Sequence, residues 1–489
     1  MYDTIVIGND LSSLIAAAIL AHQGKKTVLL SEGDDQYGFS ESGYTFTIDP
    51  SPLVGFGPTQ IMSRLLADLA IPIEVFAGLH LLNPGLQIIL PDHRIDCYYD
   101  REALLNDMKR EFADQAQDIR KVYASFLKMS DIVHRWISEK PYIYPKNYKE
   151  LVELLKMIPS LIKERLSCSK AFRTIKNHPV LARIFETEMA LLSNAYRDDP
   201  MRPLCPLSAY TLSLPLRGLY YHKGGNELLF RLLTSRFENS GGRLIKNCSV
   251  IRINVNKEVD VDIDTTDTLS NIRGRYLIAS TKWEKFRLLL LNDRKLRRLE
   301  RRLTLVKAAY HPFTLHIGVL EKGIPQIMAN YVAIIEEQNR PVMDNNLVFV
   351  EISASGDAER APFGKRALSA TVFLKESPLV LNNQDLKVIS ETVLRKLETF
   401  LPFLAENVDF LNIDKSIELS RKYYDVANQK YRLRSESFFG MVNMPNKTPL
   451  RNVIMTGGML LAGLGFEGEI LSGINAAHSI LEKEGEKYG

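Results

Sequence analysis

The stretch Tyr2–Glu32, YDTIVIGNDLSSLIAAAILAHQGKKTVLLSE, decides the fold. Thr4-Ile5-Val6-Ile7 is a short β-branched run of the kind a parallel strand buried on both faces requires. Gly8-Asn9-Asp10 interrupts it. Leu11–His22 then reads as an Ala-rich helix, and Gln23-Gly24 supplies its stop. Thr27–Ser31 is a second strand that ends on the acid Glu32. Strand, glycine turn, helix and strand with an acidic end make a βαβ unit. The predicted fold class is therefore α/β with a Rossmann-like domain.

Such a unit holds a dinucleotide when three conditions meet. The turn after the first strand brings backbone close to a pyrophosphate, the helix aims its free N–H groups at it, and an acid at the end of the second strand holds a ribose hydroxyl. Turn, helix and Glu32 are all present. Against G-x-G-x-x-G, however, the segment reads Gly8-Asn9-Asp10-Leu11-Ser12-Ser13, with Asp10 at the second glycine position and Ser13 at the third. Ser13 is a mild change. Asp10 puts a like charge where phosphate must approach, and at ~4 Å that repulsion is about 1 kcal/mol in water and about 4 at a surface-like dielectric. The same residue is also an ordinary helix N-cap. The two readings are compatible, because the cap would place its carboxylate in the anion site.

The remainder of the chain is that of an ordinary globular protein. Its 489 residues imply two or three domains, with 45% hydrophobic and 25% charged residues. A net charge of +4, from 62 Lys+Arg against 58 Asp+Glu, gives no footprint for nucleic acid, and none is expected as a partner. Cys97, Cys168, Cys205 and Cys248 form no C-x-x-C, as in a reducing compartment. No signal-peptide pattern or spanning apolar run is visible. A cytoplasmic location follows as the expectation, with peripheral membrane contact open.

Further along, residues 100–200 are helical in pattern and residues 303–376 alternate strands with turns. A helix begins near Gly224-Gly225, followed by strands near 243–245, 249–255 and 276–279. The C-terminal part reads Asn452-Val453-Ile454-Met455-Thr456-Gly457-Gly458, then Gly463-Leu464-Gly465-Phe466-Glu467-Gly468, opening a last helix to about Lys483. Here again a buried strand ends in glycines that let backbone approach a ligand.

With YHKGGNELLFRLLTSRFENSGGRLIKNCSVIRI in the middle, these segments resemble flavin amine oxidases and phytoene (carotenoid) desaturases along the whole chain. The resemblance implies an FAD/NAD(P)-binding domain assembled from 1–60, 215–290 and 430–489. It implies a mixed sheet-and-helix substrate domain from 61–214 and 291–429. It gives Gly8 to the pyrophosphate turn, Glu32 to the adenosine ribose, Val250 to the adenine, and Gly457, Gly465 and Gly468 to the C-terminal flavin turn. The N-terminus is also similar to guanine-nucleotide dissociation inhibitors, which share this fold, use no FAD and bind prenylated protein.

Departures from the family pattern cluster on the cofactor side: Asp10, Ser13, Gly458 where an acid is usual, Gly38-Phe39 for a double glycine, and Asp49-Pro50-Ser51-Pro52 for an Asp-x-Gly-Pro-like element. The expectation is that FAD binds weakly or not at all. Two functional readings stand: an FAD-dependent oxidoreductase acting on a hydrophobic, isoprenoid-like substrate, or a non-enzymatic lipid or prenylated-protein binder on a scaffold that has lost FAD. Both predict an elongated apolar pocket between the domains. No catalytic residue is singled out, because a flavin carries the redox chemistry itself.

Residues 146–176 carry eight Lys/Arg and three Glu, a local +5, with Leu151, Leu154, Leu155, Ile158, Ile162 and Leu166 near helical spacing. Such a helix either lies on an anionic membrane or buries its apolar side in the core. Pro159 is expected to kink or divide it. Trp283–Arg302 is similar. The nine histidines form no metal constellation; His311 and His316 fall on opposite faces of a strand, and His222 reads as a loop residue, either solvated or near a cofactor.

Overall fold

The computed structural model describes residues 1–32, 37–139, 148–197, 206–265, 268–280, 283–290, 307–343, 345–432 and 444–485. The apolar run of the first strand, Tyr2–Ile7, is buried from Thr4 onward and pairs in parallel with Thr27–Leu30 on one side and with Leu269–Ala279 on the other. Arg243–Ile245 extends the sheet beyond Thr27–Leu30, and Val453–Met455 adds to Leu269–Ala279. The other half of that long strand runs into an antiparallel ribbon with Val259–Asp264 and Ser249–Val255, which completes seven strands.

Register sets the position of the site. Ile7 is level with Leu30 and with Ala279, and Ala279 is level with Met455. The segments after these strands, from Gly8, Ser31, Ser280 and Thr456, therefore emerge at one carboxyl edge, where parallel α/β sheets bind ligands. Leu11–His22 is buried over Leu11–Ala21 because its small residues let neighbours close in. The last helix, Gly465–Lys483, comes so near that a Cβ on Gly473 would lie 2.5 Å from the Ser12 carbonyl oxygen.

A second, nine-stranded sheet carries Leu86–Ile89, Arg94–Cys97, Ala308–Leu320, Tyr331–Ile335, Leu347–Ile352 and Lys365–Leu374. Its period of two is clean. In Ala308–Leu320, Phe313, Leu315, Ile317 and Val319 share one core with Leu386, Val393 and Leu397 of the Asn383–Phe400 helix. Pro312, Thr314 and His316 face a cavity on the opposite side. Helices Arg101–Glu111, Ala116–Glu139, Tyr148–Lys176 and Pro179–Leu192 form a further layer.

Several sequence expectations need correction. Tyr148–Lys176 continues as one helix, so Pro159 does not divide it. His222 lies in the strand Tyr220–His222 and is buried, with burial lowering its basicity, rather than solvated in a loop. Of Trp283–Arg302, only Trp283–Leu289 is described as a helix, and residues 291–302 lie outside the described residues, as does Lys146. Cys97 and Cys248 are buried and form no disulfide. No helix among the described residues is long and apolar enough to cross a membrane.

Candidate functional site

Gly8 leaves the first strand at φ 150°, and a Cβ there would sit 2.3 Å from Ser280 Oγ. Only glycine makes that turn. Asp10 follows as the N-cap of Leu11–His22: its Oδ1 accepts the Ser13 amide at 2.9 Å and the Ser12 hydroxyl at 3.0 Å. Ser13 Oγ donates to the Asp10 carbonyl at 2.8 Å. The N–H that would greet a phosphate already has a carboxylate. Asp10 is 8% exposed, and burial pushes its carboxyl above the ordinary range, opposed by hydrogen bonds from Ser13, Ser280 and Ser12.

The C-terminal glycines divide by role. Gly457, at φ 123°, faces Asp10, whose Oδ2 would lie 3.6 Å from an added Cβ. Gly458 faces Glu469: a Cβ there would be 3.1 Å from Glu469 Oε1. Gly465 and Gly468 are explained by packing, since side chains on them would meet the carbonyl oxygens of Leu192 at 2.5 Å and Leu461 at 2.3 Å. Glu32 and Val250 come together at the far side, where the Val250 amide donates to Glu32 Oε1 at 3.3 Å. Lys285 Nζ takes Glu32 Oε2 at 2.7 Å.

Three carboxyl groups converge on the cradle between these elements. A cavity of about 500 Å³ with its mouth included is lined by Asp10, Asp49 and Glu469, together with Tyr37, Phe230 and Phe466. Asp49 accepts from Ser51 Oγ at 2.9 Å and from Asn428 Nδ2. Burial raises it, opposed by Ser51, Asn428 and the nearby Lys430. Glu469 makes no hydrogen bond among the described residues. Burial first, then the charges of Asp10 and Asp49, push it well above the carboxylate range. No Lys or Arg lines this cavity among the described residues. A pyrophosphate needs donors and positive charge here, and these residues do not fit one.

Next to it lies a larger cavity, about 680 Å³ with its mouth, which shares Ile48, Asp49, Ser51 and Asn428 with the first. Pro312, Phe349 and Phe373 of the second sheet, and Leu191 of a helix, give it apolar walls. Polar groups share this wall with the apolar ones. Lys430 Nζ donates to the Ser193 carbonyl at 2.7 Å, and burial lowers it to about 8 against the pull of Asp49. His316, also on the wall, is pushed down to about 3 by burial.

Asp49, Asn428, Lys430 and Glu469 were not singled out from sequence. Asp49 opens the Asp49-Pro50-Ser51-Pro52 element, and Glu469 directly follows Gly468 of the C-terminal glycine turn. Asn428 and Lys430 carry no local signal, because only the second sheet brings Lys430–Arg432 to this place.

No family model matches the chain. It is 21% identical over 511 residues to a chloroplastic prolycopene isomerase of Daucus carota, covering 98% of this chain and 80% of that one. It is 23% identical over 303 residues, 57% of this chain and 47% of the relative, to an inactive all-trans-retinol 13,14-reductase of Danio rerio. A triple mutant of putrescine oxidase superposes with a TM-score of 0.62 at 12% identity, covering 99% of both chains. A Rab GDI of Plasmodium falciparum gives 0.53 at 12%, covering 100% of this chain and 99% of that one. The motifs, the fold and this weak whole-length homology agree: the chain carries the FAD-type scaffold of the amine oxidase and carotenoid desaturase superfamily.

Proposed function

We propose that the chain is a non-enzymatic binder of an elongated hydrophobic ligand, isoprenoid-like in shape, on a flavoprotein scaffold that holds FAD weakly or not at all. The observation that carries this reading is the set Asp10, Asp49 and Glu469 in the cradle where a pyrophosphate would lie. The adjoining cavity with Phe349 and Phe373 offers apolar wall, in the size range of small-molecule sites. A prolycopene isomerase and an inactive retinol reductase among the relatives point to the same ligand class.

Delivery from a membrane completes the proposal. Tyr148, Leu151, Leu155, Ile162 and Leu166 share one side of the Tyr148–Lys176 helix and are 40–81% exposed, while Leu154 and Leu161 face inward. Lys149, Lys156 and Lys163 recur every seven residues beside that stripe, and all three are exposed. An apolar strip edged by lysines suits an anionic lipid surface.

The oxidoreductase reading retains one specific support, the meeting of Glu32 and Val250 at the adenosine end. Solvent extraction of the purified protein with mass spectrometry separates the two. A stoichiometric apolar lipid without flavin is expected. Stoichiometric flavin that is reduced by an apolar substrate would overturn the proposal.

A further inference from the structure

We propose that the cavity between Asp10 and Glu469 takes the cationic head of an organic ammonium ligand. The inference rests on the reading that no pyrophosphate occupies this cradle, and it adds a charge to the ligand. Glu469 is the central observation. It is 6% exposed, lines the cavity and has no hydrogen-bond partner among the described residues. A buried carboxyl in that state is costly unless a donor arrives from outside the chain. Asp10 and Asp49 approach the same space with no lining cation to answer them.

The walls favour an organic cation over a metal ion. Among the described residues no group of three or more His, Cys, Asp or Glu could hold a metal. Aromatic faces are present instead: Phe466 lines the cavity, and Tyr37 and Phe230 stack at 3.6 Å on its rim. Carboxylates joined to aromatic faces recognise ammonium groups. The lining shared through Ile48, Asp49, Ser51 and Asn428 lets an apolar tail continue toward Phe349 and Phe373.

In the free protein burial pushes the Glu469 carboxyl well above the ordinary carboxylate range, with Asp10 facing it from the helix cap and Asp49 from its loop. Lys430 stands beyond Asp49. An entering ammonium keeps its own proton, donates hydrogen bonds and displaces the carboxyl proton to solvent. Binding therefore tightens as pH rises from mildly acidic to neutral.

Calorimetric titration of the full chain with n-octylamine, and with n-octanol as the uncharged match, tests this near neutral pH. The amine is expected to bind about tenfold tighter or better, with proton release visible as a heat that depends on the buffer. Glu469→Gln should bring the two ligands to within about twofold. Equal binding of amine and alcohol would overturn the cationic head while leaving the hydrophobic-binder reading standing. No binding of either, or a preference unchanged in Glu469→Gln, would also overturn it. If Glu469→Gln does not fold, amine binding to the unaltered protein without proton release decides against the proposal.

Discussion

The carboxylate of Asp10 accepts the backbone N–H of Ser13 at 2.9 Å, so the helix Leu11–His22 is capped from within its own chain. The position that is glycine in the usual dinucleotide fingerprint here carries a capping carboxylate. Removing the side chain should cost the cap: Asp10→Ala is expected to lose about 1 kcal/mol of stability, and Asp10→Asn, which keeps an acceptor, much less. Urea unfolding of the two variants measures the difference. An Asn variant as unstable as the Ala variant would contradict the capping role.

A second pair holds the hairpin Gly38–Thr47 against the second sheet. Arg360 Nη1 and Nη2 donate to Glu351 at 2.8 and 3.0 Å with both side chains nearly inaccessible, and Arg360 Nε donates to the Thr45 carbonyl at 2.7 Å. Arg360→Met leaves Glu351 buried and unpaired, at about 3–5 kcal/mol. Adding Glu351→Leu should recover much of that loss in chemical denaturation. A single variant within about 1 kcal/mol of the parent would show the pair to be dispensable.

Stability should also carry the signature of Glu188, which burial lifts to about 8. A carboxyl with a folded pKa above its unfolded value contributes fully below the unfolded pKa, and that contribution is lost as pH rises toward the folded one. Between about pH 4 and 8 Glu188 therefore makes stability fall with pH. Glu188→Gln is expected to flatten this slope and to gain most at the alkaline end. Melting temperatures measured across that range check it; parallel curves for parent and variant would contradict it.

The proposed membrane contact rests on the exposed stripe of the Tyr148–Lys176 helix. Flotation with vesicles containing anionic lipid should recover the protein at low salt and release it at high salt. Lysines near such a surface contribute about 1 kcal/mol each, so replacing Lys149, Lys156 and Lys163 by Gln removes most of the binding. Leu155→Ser with Ile162→Ser should weaken it at every salt concentration. Flotation indifferent to both changes would assign the exposed stripe another role.

The N-terminal βαβ unit was legible because its information is local: a β-branched run, a glycine turn and an Ala-rich helix occupy consecutive residues. The convergence of Thr456–Gly457 on Gly8 was legible only by resemblance, since it depends on register across Leu269–Ala279. Glu467 and Glu469 show why the acid cradle was missed. Two residues apart on one helix, they face different ways: Glu467 accepts from the Tyr210 hydroxyl and Glu469 faces the cavity. Sequence spacing does not fix the rotation of that helix. Periodicity likewise found the apolar side of Tyr148–Lys176, but not that much of it remains uncovered.

The visible absorption spectrum of the purified protein, taken before and after incubation with FAD, tests the central claim most directly. The acid cradle predicts no stoichiometric flavin in the unaltered chain, with uptake appearing, if the Asp10 side chain alone closes the site, in Asp10→Gly. A stoichiometric yellow flavin in the unaltered protein would contradict the claim.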